Sequence, residues 1–139
     1  MRLIFLGPPG VGKGTQSKMI SDHLSIPTIS TGDVLRESVA NQTELGKIAK
    51  TAMDKGELVS NELVTAIIAD YLKPFTGNSG YLLDGFPRNL EQAGALNNIL
   101  DSYGQKIDKV VLFTLPDEVL VKRLTGRRTC SKTGEILNI

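Results

Sequence analysis

One stretch near the start of the chain combines residue types and spacing that suit phosphate chemistry: Gly7-Pro8-Pro9-Gly10-Val11-Gly12-Lys13-Gly14-Thr15. Glycines let the backbone wrap closely around phosphate oxygens, and the N–H groups at the start of a helix favour negative charge. Lys13 can place a compact positive charge against the terminal phosphates, so the spacing of Gly7, Gly12 and Lys13 predicts a phosphate-binding loop. Position 14 is glycine where the strict pattern has serine or threonine, and Thr15 offers a hydroxyl one place later.

A carboxylate is expected near this loop. Asp84 closes a second apolar run, Tyr81–Leu83, and ligands of open parallel sheets bind beyond the carboxyl ends of the strands. Because Mg²⁺ is often held through waters and substrate phosphates, Asp84 is a candidate to hold this metal through water. Asp33 either joins the same hydration network or caps the helix that follows Gly32.

The loop and Asp84 require a parallel sheet to bring them together, and apolar runs that alternate with helical patterns predict one. The predicted class is α/β, with helices on both faces of the sheet. Strands are expected at Leu3–Leu6, Pro27–Ser30, Tyr81–Leu83 and Lys109–Leu115, the last as a buried, central strand. Helices are expected at Lys13–Leu24, Asp33–Asn41, Glu44–Asp54, Asn61–Leu72, Leu90–Ser102 and Asp117 to about Leu124, with Asn89 and Gln92 as a capping box. Residues 31–59 contain successive helices without a strong strand, which indicates an excursion from the layered core.

Composition excludes several classes of protein. The chain has 139 residues, a formal net charge of +1 and 40% hydrophobic residues, which is typical of a single folded domain without a field that attracts nucleic acid. The single cysteine, Cys130, forms no internal disulfide, and no apolar run approaches the ~20 residues of a membrane span. We therefore expect a cytoplasmic protein. Met19 and Met53 are expected to fill the core.

Five segments together resemble the adenylate kinase family of the bacterial type: GPPGVGKGT (7–15), STGDVLR (30–36), KGELVS (55–60), YLLDGFPRNLEQA (81–93) and VLVKRLTGRR (119–128). In that family GKGT is the usual end of the phosphate loop. The resemblance implies a three-layer P-loop fold with a helical AMP-binding insertion, and a reversible transfer of phosphoryl from Mg-ATP to AMP, which yields two ADP. It also implies a P-loop core at 1–29 and 60–125, an AMP-binding subdomain at 30–59 and the start of a lid at 126–139.

The resemblance assigns roles to individual positions. Lys13, Arg88 and Arg123 would be catalytic, and the Phe86–Pro87 peptide bond would be cis. ATP would be held by Gly10, Val11, Gly12, Lys13, Gly14, Thr15, Arg123 and Arg127. AMP would be held by Thr31, Arg36, Glu57, Leu58, Val59, Gly85, Phe86, Pro87, Arg88 and Gln92.

These roles agree with the chemistry of phosphoryl transfer, which needs alignment and charge stabilisation more than covalent catalysis. The planar fork of arginine grips two phosphate oxygens and stays ionised. An AMP phosphate is already nucleophilic, so no general base is required. Leu58 and Val59 would give adenine an apolar wall, and the Gln92 amide would pair with its edge.

A structural zinc ion is not expected. Some relatives begin the lid with a Cys-x-x-Cys pair, whereas this chain has Cys130-Ser131-Lys132-Thr133. Thr133 cannot supply the thiolate that zinc prefers. The expected metal is Mg²⁺, bound together with ATP.

Family members usually continue for several tens of residues beyond Ile139, so we expect a chain that is truncated within the lid. One edge of the sheet would then expose unpaired backbone groups and an apolar flank, with low stability and weak activity. Two alternatives stay open: a kinase for UMP, CMP or GMP, and a catalytically silent nucleotide-binding module. The expected partners are ATP, AMP and ADP, without nucleic acid or membrane, and the expected state is a monomer.

Overall fold

A four-stranded parallel sheet forms the centre of the computed structural model, which describes residues 1–75, 77 and 79–138. Its strands are β1 (Arg2–Leu6), β2 (Thr28–Ser30), β3 (Tyr81–Asp84) and β4 (Lys109–Leu112), in the order β2-β3-β1-β4. Parallel neighbours require long crossover connections, and helices supply them. The predicted α/β class is therefore confirmed.

Six helices lie in the part of the chain that the structure describes. They are α1 (Lys13–Leu24), α2 (Thr31–Ala40), α3 (Glu44–Asp54), α4 (Asn61–Leu72), α5 (Leu90–Ser102) and α6 (Asp117–Thr125). Most bounds agree with prediction, because local capping sets them: Ser60 and Asn89 each accept a hydrogen bond from the backbone N–H three residues later. Helix α2 begins two residues earlier than expected, since Ser30 rather than Asp33 is its cap.

The two central strands, β1 and β3, are buried on both faces. Ile4 and Leu83 pack into a large cluster with apolar residues of α2, α4 and α5, whereas Phe5 and Leu82 pack on the opposite face. This alternation follows from the two-residue period of a strand, and each fully buried side chain contributes about 1.5–3 kcal/mol. The register pairs Phe5 with Asp84, so the carboxyl end of β3 lies beside the start of the glycine-rich loop.

Strand β4 differs from its prediction. It ends at Leu112 rather than Leu115 and lies at the edge of the sheet, with Val110 57% and Leu112 65% exposed. The expectation of a buried, central strand is wrong, whereas the expected apolar flank at one sheet edge is found at β4. Met19 and Met53 are also exposed rather than in the core.

The excursion between β2 and α4 consists of α2 and α3 in close contact. A Cβ atom on Gly46 would lie only 2.1 Å from the carbonyl oxygen of Ser38, so the glycine allows the α3 backbone to lie against α2. Thr43, which connects the helices, caps α3 by accepting from the Gly46 N–H. The last described segment is a hairpin of β5 (Arg127–Thr129) and β6 (Ile136–Asn138).

Candidate functional site

The glycine-rich loop connects the buried strand β1 to helix α1. Gly10 and Gly12 have φ angles of +83° and +92°, a region that residues with a Cβ atom avoid. At Gly7, a Cβ atom would lie 3.0 Å from the carbonyl oxygen of Phe113. The glycines at positions 7, 10 and 12 are therefore required by the backbone path itself, which turns sharply into the start of α1.

The start of α1 differs from that of most other helices. Helices α2 to α5 each have a side-chain oxygen that accepts an N–H of the first turn, from Ser30, Thr43, Ser60 and Asn89 respectively. Helix α1 has Gly12 at this position, no side-chain cap and no acidic residue in its first turn. Its N–H groups and the positive end of its dipole are thus left for an anion.

A mostly buried ion pair ties α1 to the end of β3. The Lys13 Nζ lies 2.5 Å from the Asp84 Oδ1, and the two side chains are only 19% and 15% exposed. The Ser17 hydroxyl, one turn further along α1, donates to the Lys13 carbonyl oxygen at 2.8 Å and to the Asp84 Oδ2 at 3.4 Å. These contacts fix the lysine and the carboxylate at the mouth of the loop.

Two clefts meet at this point. Cleft A has a volume of about 730 Å³, and its polar lining includes Lys13 and Arg88 beside Gly85 and Pro87. Cleft B has a volume of about 1050 Å³ and is lined by the loop, Asp84 and Arg123. Lys13 and Pro9 line both clefts, so Lys13 stands between two spaces that can each receive a ligand.

On the side of cleft A, the carbonyl oxygen of Gly85 links two predicted site residues. It accepts from the Arg88 Nε at 2.8 Å and from the Thr31 hydroxyl at 3.0 Å. The Phe86–Pro87 bond is cis, as expected. Phe86 is fully buried, so it can support the neighbouring backbone but has no surface for a ligand in this state.

Arg36 does not line cleft A. Its guanidinium would be 3.2 Å from a Cβ atom on Gly32, and it is paired with Asp33 three residues before it. The hydrogen bond from Arg36 holds the pKa of the Asp33 carboxyl below its ordinary value, and the Ser30 hydroxyl adds to this effect. Asp33 therefore neither caps α2 nor touches Asp84 in the contacts described.

The remaining residues predicted for this side lie beyond cleft A. Glu57 follows the end of α3, and its backbone N–H donates to the Ala52 carbonyl oxygen. Leu58 is 96% exposed, whereas Val59 packs against the core. Gln92 is buried among polar neighbours and donates to Asn61. Along the chain, residues 57–59 come just before Asn61, the hydrogen-bond partner of Gln92. None of these three residues lines cleft A.

Cleft B receives residues from α6 and from the β5–β6 hairpin. The Arg123 Nη1 points at the loop, 3.4 Å from the Gly10 carbonyl oxygen and 3.5 Å from that of Val11. Asn138 donates to the Arg123 carbonyl oxygen, which ties the hairpin to α6. The cleft is lined by Pro8, Pro9, Gly10, Gly12, Lys13, Gly14, Thr15, Lys18, Asp84, Arg123, Arg127, Gly134, Glu135, Ile136 and Asn138.

At the tip of the hairpin, hydrogen bonds from Thr133 lower the pKa of the Cys130 thiol. Across residues 1–75, 77 and 79–138, no group of three or more His, Cys, Asp or Glu side chains is arranged to hold a metal ion. None of the helices in these ranges has both the length and the apolar character needed to cross a membrane.

Two residues of the site were not predicted. Ser17 lies four residues after Lys13, hence on the same face of α1, and this spacing could have identified it. Asn61 is a half-buried partner of Gln92 from another helix, and no local pattern in the sequence connects the two positions.

Comparison with known proteins gives a consistent result. The family model for adenylate kinase matches residues 5–136. Over all 139 residues the chain is 53% identical to the adenylate kinases of Caldicellulosiruptor bescii and Archaeoglobus fulgidus, and 48% identical to that of Clostridium tetani. It spans 65%, 64% and 64% of the lengths of these curated relatives, respectively.

Proposed function

The chain belongs to the adenylate kinase family, and from this premise we propose that it transfers the γ-phosphoryl group of ATP reversibly to AMP, giving two ADP. The observation that supports the proposal most strongly is the meeting of clefts A and B at Lys13. Two nucleotides bound with their phosphates toward Lys13 would face each other tail to tail. Phosphoryl transfer requires this in-line arrangement.

Cleft B is the proposed ATP site. The uncapped start of α1 and the loop from Gly10 to Thr15 would hold the phosphates. Arg123 lies at the outer side of the loop and Arg127 at the hairpin. With Lys13 they would surround the transferring group with positive charge, which stabilises the charge that develops on its oxygens.

Cleft A is the proposed AMP phosphate site. Arg88 lines it, and the Gly85 carbonyl oxygen connects Arg88 to Thr31. Arg36, on the helix that begins at Thr31, would reach the phosphate when the segment of residues 30–59 closes. The AMP phosphate is already anionic and nucleophilic, so these groups need only hold and aim it. The base would extend toward Glu57–Val59 and Gln92. There Leu58 and Val59 provide apolar surface and Gln92 provides a carboxamide.

The residues at the junction suit a magnesium ion that is bound through water. Mg²⁺ prefers oxygen ligands and keeps several waters, and Asp84 offers one carboxylate oxygen whose described contact is the Ser17 hydroxyl. Asp84 and Thr15 both line cleft B and would hold the hydrated ion there. When bound, the ion neutralises charge on the ATP phosphates.

Transfer to AMP competes with hydrolysis unless water is excluded. We propose that residues 30–59 and the hairpin from 126 are the two segments that close over the nucleotides, on a core of residues 1–29 and 60–125. The hairpin already borders cleft B, and exposed Leu58 would become covered when the first segment closes.

A second candidate function is nucleotide binding without efficient transfer. The observation that favours it is the exposed apolar face of β4 and α6, which includes Val110, Leu112 and Val121. Helix α6 carries Arg123, so a helix with a large uncovered apolar face holds this arginine less firmly. Kinases for other nucleoside monophosphates would share the loop and the arginines.

A bisubstrate ligand tests the proposal directly. We expect a diadenosine polyphosphate to bind at least 100-fold more tightly than ATP or AMP alone, because one molecule would fill both clefts. Titration calorimetry of the 139-residue chain would measure this. An affinity no greater than that for ATP would contradict the two-site arrangement. A coupled assay of ADP formation with AMP, UMP, CMP and GMP would then separate transfer from binding and identify the acceptor.

A further inference from the structure

The carboxamide of Gln92 is held at both ends within the protein. The residue is only 6% exposed. The Oε1 accepts from the Arg88 backbone N–H at 2.8 Å, and the Nε2 donates to the Asn61 Oδ1 at 3.0 Å. An amide nitrogen carries two hydrogens and an amide oxygen has two lone pairs. Among the described contacts, one hydrogen of the Nε2 and one lone pair of the Oε1 are therefore unused.

The orientation of Asn61 is set by its other partners. Its Nδ2 donates to the Glu91 Oε2 at 2.8 Å, while its Oδ1 also accepts from the Asn89 Nδ2 at 3.2 Å. An ionised carboxylate only accepts hydrogen bonds, so the nitrogen of Asn61 must face Glu91. Its oxygen must then face Gln92.

The two ends of Gln92 consequently demand the same orientation. A peptide N–H only donates, so the Arg88 backbone requires the oxygen of Gln92, and the Asn61 Oδ1 requires its nitrogen. After a 180° flip of the carboxamide, donor would face donor at Arg88 and acceptor would face acceptor at Asn61. Because Gln92 itself is buried, both mismatches are unfavourable.

We propose that Asn61, oriented by Glu91, is a positioning residue that restricts the acceptor site to 6-aminopurine monophosphates. This inference rests on the proposed function, in which Gln92 faces the base of the acceptor. The edge of adenine presents an amino donor beside a ring acceptor, whereas a 6-oxopurine presents these groups in reverse order. A glutamine that flips can serve both bases. A glutamine whose carboxamide cannot flip pairs with only one of the two kinds of purine, for a base held in a given orientation.

The position of Asn61 in the chain supports this role. It is the first residue of α4, directly after the Ser60 cap, and so lies two residues beyond Val59 at the end of the segment proposed to contact the base. Gln92 and Asn89 belong to the start of α5. The bonds from Asn61 therefore join the two helix starts between which the base would lie.

Binding of AMP and IMP to the 139-residue chain tests the inference without dependence on turnover. Asn61→Leu removes the acceptor at similar volume, and we expect it to lower the ratio of AMP to IMP affinity about tenfold. ATP affinity should change less than twofold. The double variant Asn61→Asp with Glu91→Ala restores an acceptor for Gln92 without a facing carboxylate, and should recover most of the ratio. Asn97→Leu, at an exposed asparagine on α5, is the matched control and should leave the ratio unchanged.

A second variant covers the case in which Asn61→Leu does not fold. Glu91 is exposed, so Glu91→Lys should fold, and its ammonium would compete for the Asn61 oxygen. We expect the AMP to IMP ratio to fall at least threefold. Unchanged ratios in both variants, or equal losses for AMP, IMP and ATP, would overturn the inference. A wild-type chain that binds AMP no better than IMP would instead contradict the proposed function, before any variant is made.

Discussion

The two sides of the candidate site are held in different ways. On the side of the loop, Lys13 and Asp84 form a mostly buried pair that joins α1 to β3 across 71 positions of the chain. On the side of cleft A, Arg36 is paired with Asp33 only three residues away, and both side chains lie mainly in water, 68% and 73% exposed. The loop side is thus fixed by tertiary contacts before any ligand binds, whereas the charges of the other side are held locally. We expect substitutions on the loop side to change stability and binding together, and substitutions of the exposed charges to change binding with little effect on stability.

The largest effect on phosphoryl transfer is expected at Lys13. Lys13→Met removes the charge that stands between the two clefts, and we expect phosphoryl transfer to fall by at least about 100-fold. The same change leaves Asp84 buried without its partner, which should lower the free energy of unfolding by roughly 2 kcal/mol. Urea denaturation and an ADP-formation assay would measure the two effects.

Lys73 provides the matched control. Its Nζ also lies 2.5 Å from an aspartate, Asp70, but both side chains are exposed, and exposed pairs contribute little to stability. Lys73→Met should leave both the urea midpoint and activity unchanged. If the two variants were equally destabilised, burial would not explain the difference between the pairs.

The difference between the two sides also explains how far sequence could predict this protein. Helix and strand bounds follow from local features such as caps and apolar periodicity, so α3 and α5 agree with their predictions at both ends. The burial of β4 depends on what covers it, and an apolar composition gives no information about that. In the same way, the phosphate loop is a continuous motif, whereas the contact between Asn61 and Gln92 joins two helices and has no local signature.

The second prediction concerns stability, and tests the packing that holds the α2–α3 segment together. Gly46→Ala would place a Cβ atom against the Ser38 carbonyl oxygen. A backbone atom cannot rotate away, so we expect a loss of about 3 kcal/mol in the free energy of unfolding. Such a loss would indicate that the close packing of α2 and α3, and not their exposed charges, stabilises this segment.

Gly94 in α5 is the control for this substitution, because a Cβ atom added there would meet no atom within 4 Å beyond its chain neighbours and the backbone of its own helix. Gly94→Ala should raise stability by up to about 1 kcal/mol through helix propensity. Urea denaturation of both variants gives the comparison. A Gly46→Ala protein as stable as wild type would show that α2 and α3 can separate without cost.

The smallest change in stability, with a clear change in binding, is expected at Arg36. Arg36→Ala removes a charged donor proposed to reach the AMP phosphate, and we expect AMP affinity to fall about tenfold. Because the guanidinium is exposed, the urea midpoint should change only slightly. Arg128, whose described contacts are with backbone carbonyl oxygens, is the control, and Arg128→Ala should change neither quantity.

The Asp33 carboxyl reports on the same pair independently of any ligand. Its pKa is lowered in the folded chain, chiefly by the hydrogen bond from Arg36, so the pair stabilises the fold above the ordinary pKa of an aspartate and loses this contribution as the pH falls through the lowered value. In Arg36→Ala we expect the pKa of Asp33 to rise toward its ordinary value in an NMR titration. An unchanged pKa would mean that Ser30 alone holds the carboxylate, and the exposed pair would then contribute nothing to the arrangement of this side. A raised pKa together with only a slight fall in the urea midpoint would establish the contrast with Lys13, whose loss should destabilise the fold by roughly 2 kcal/mol.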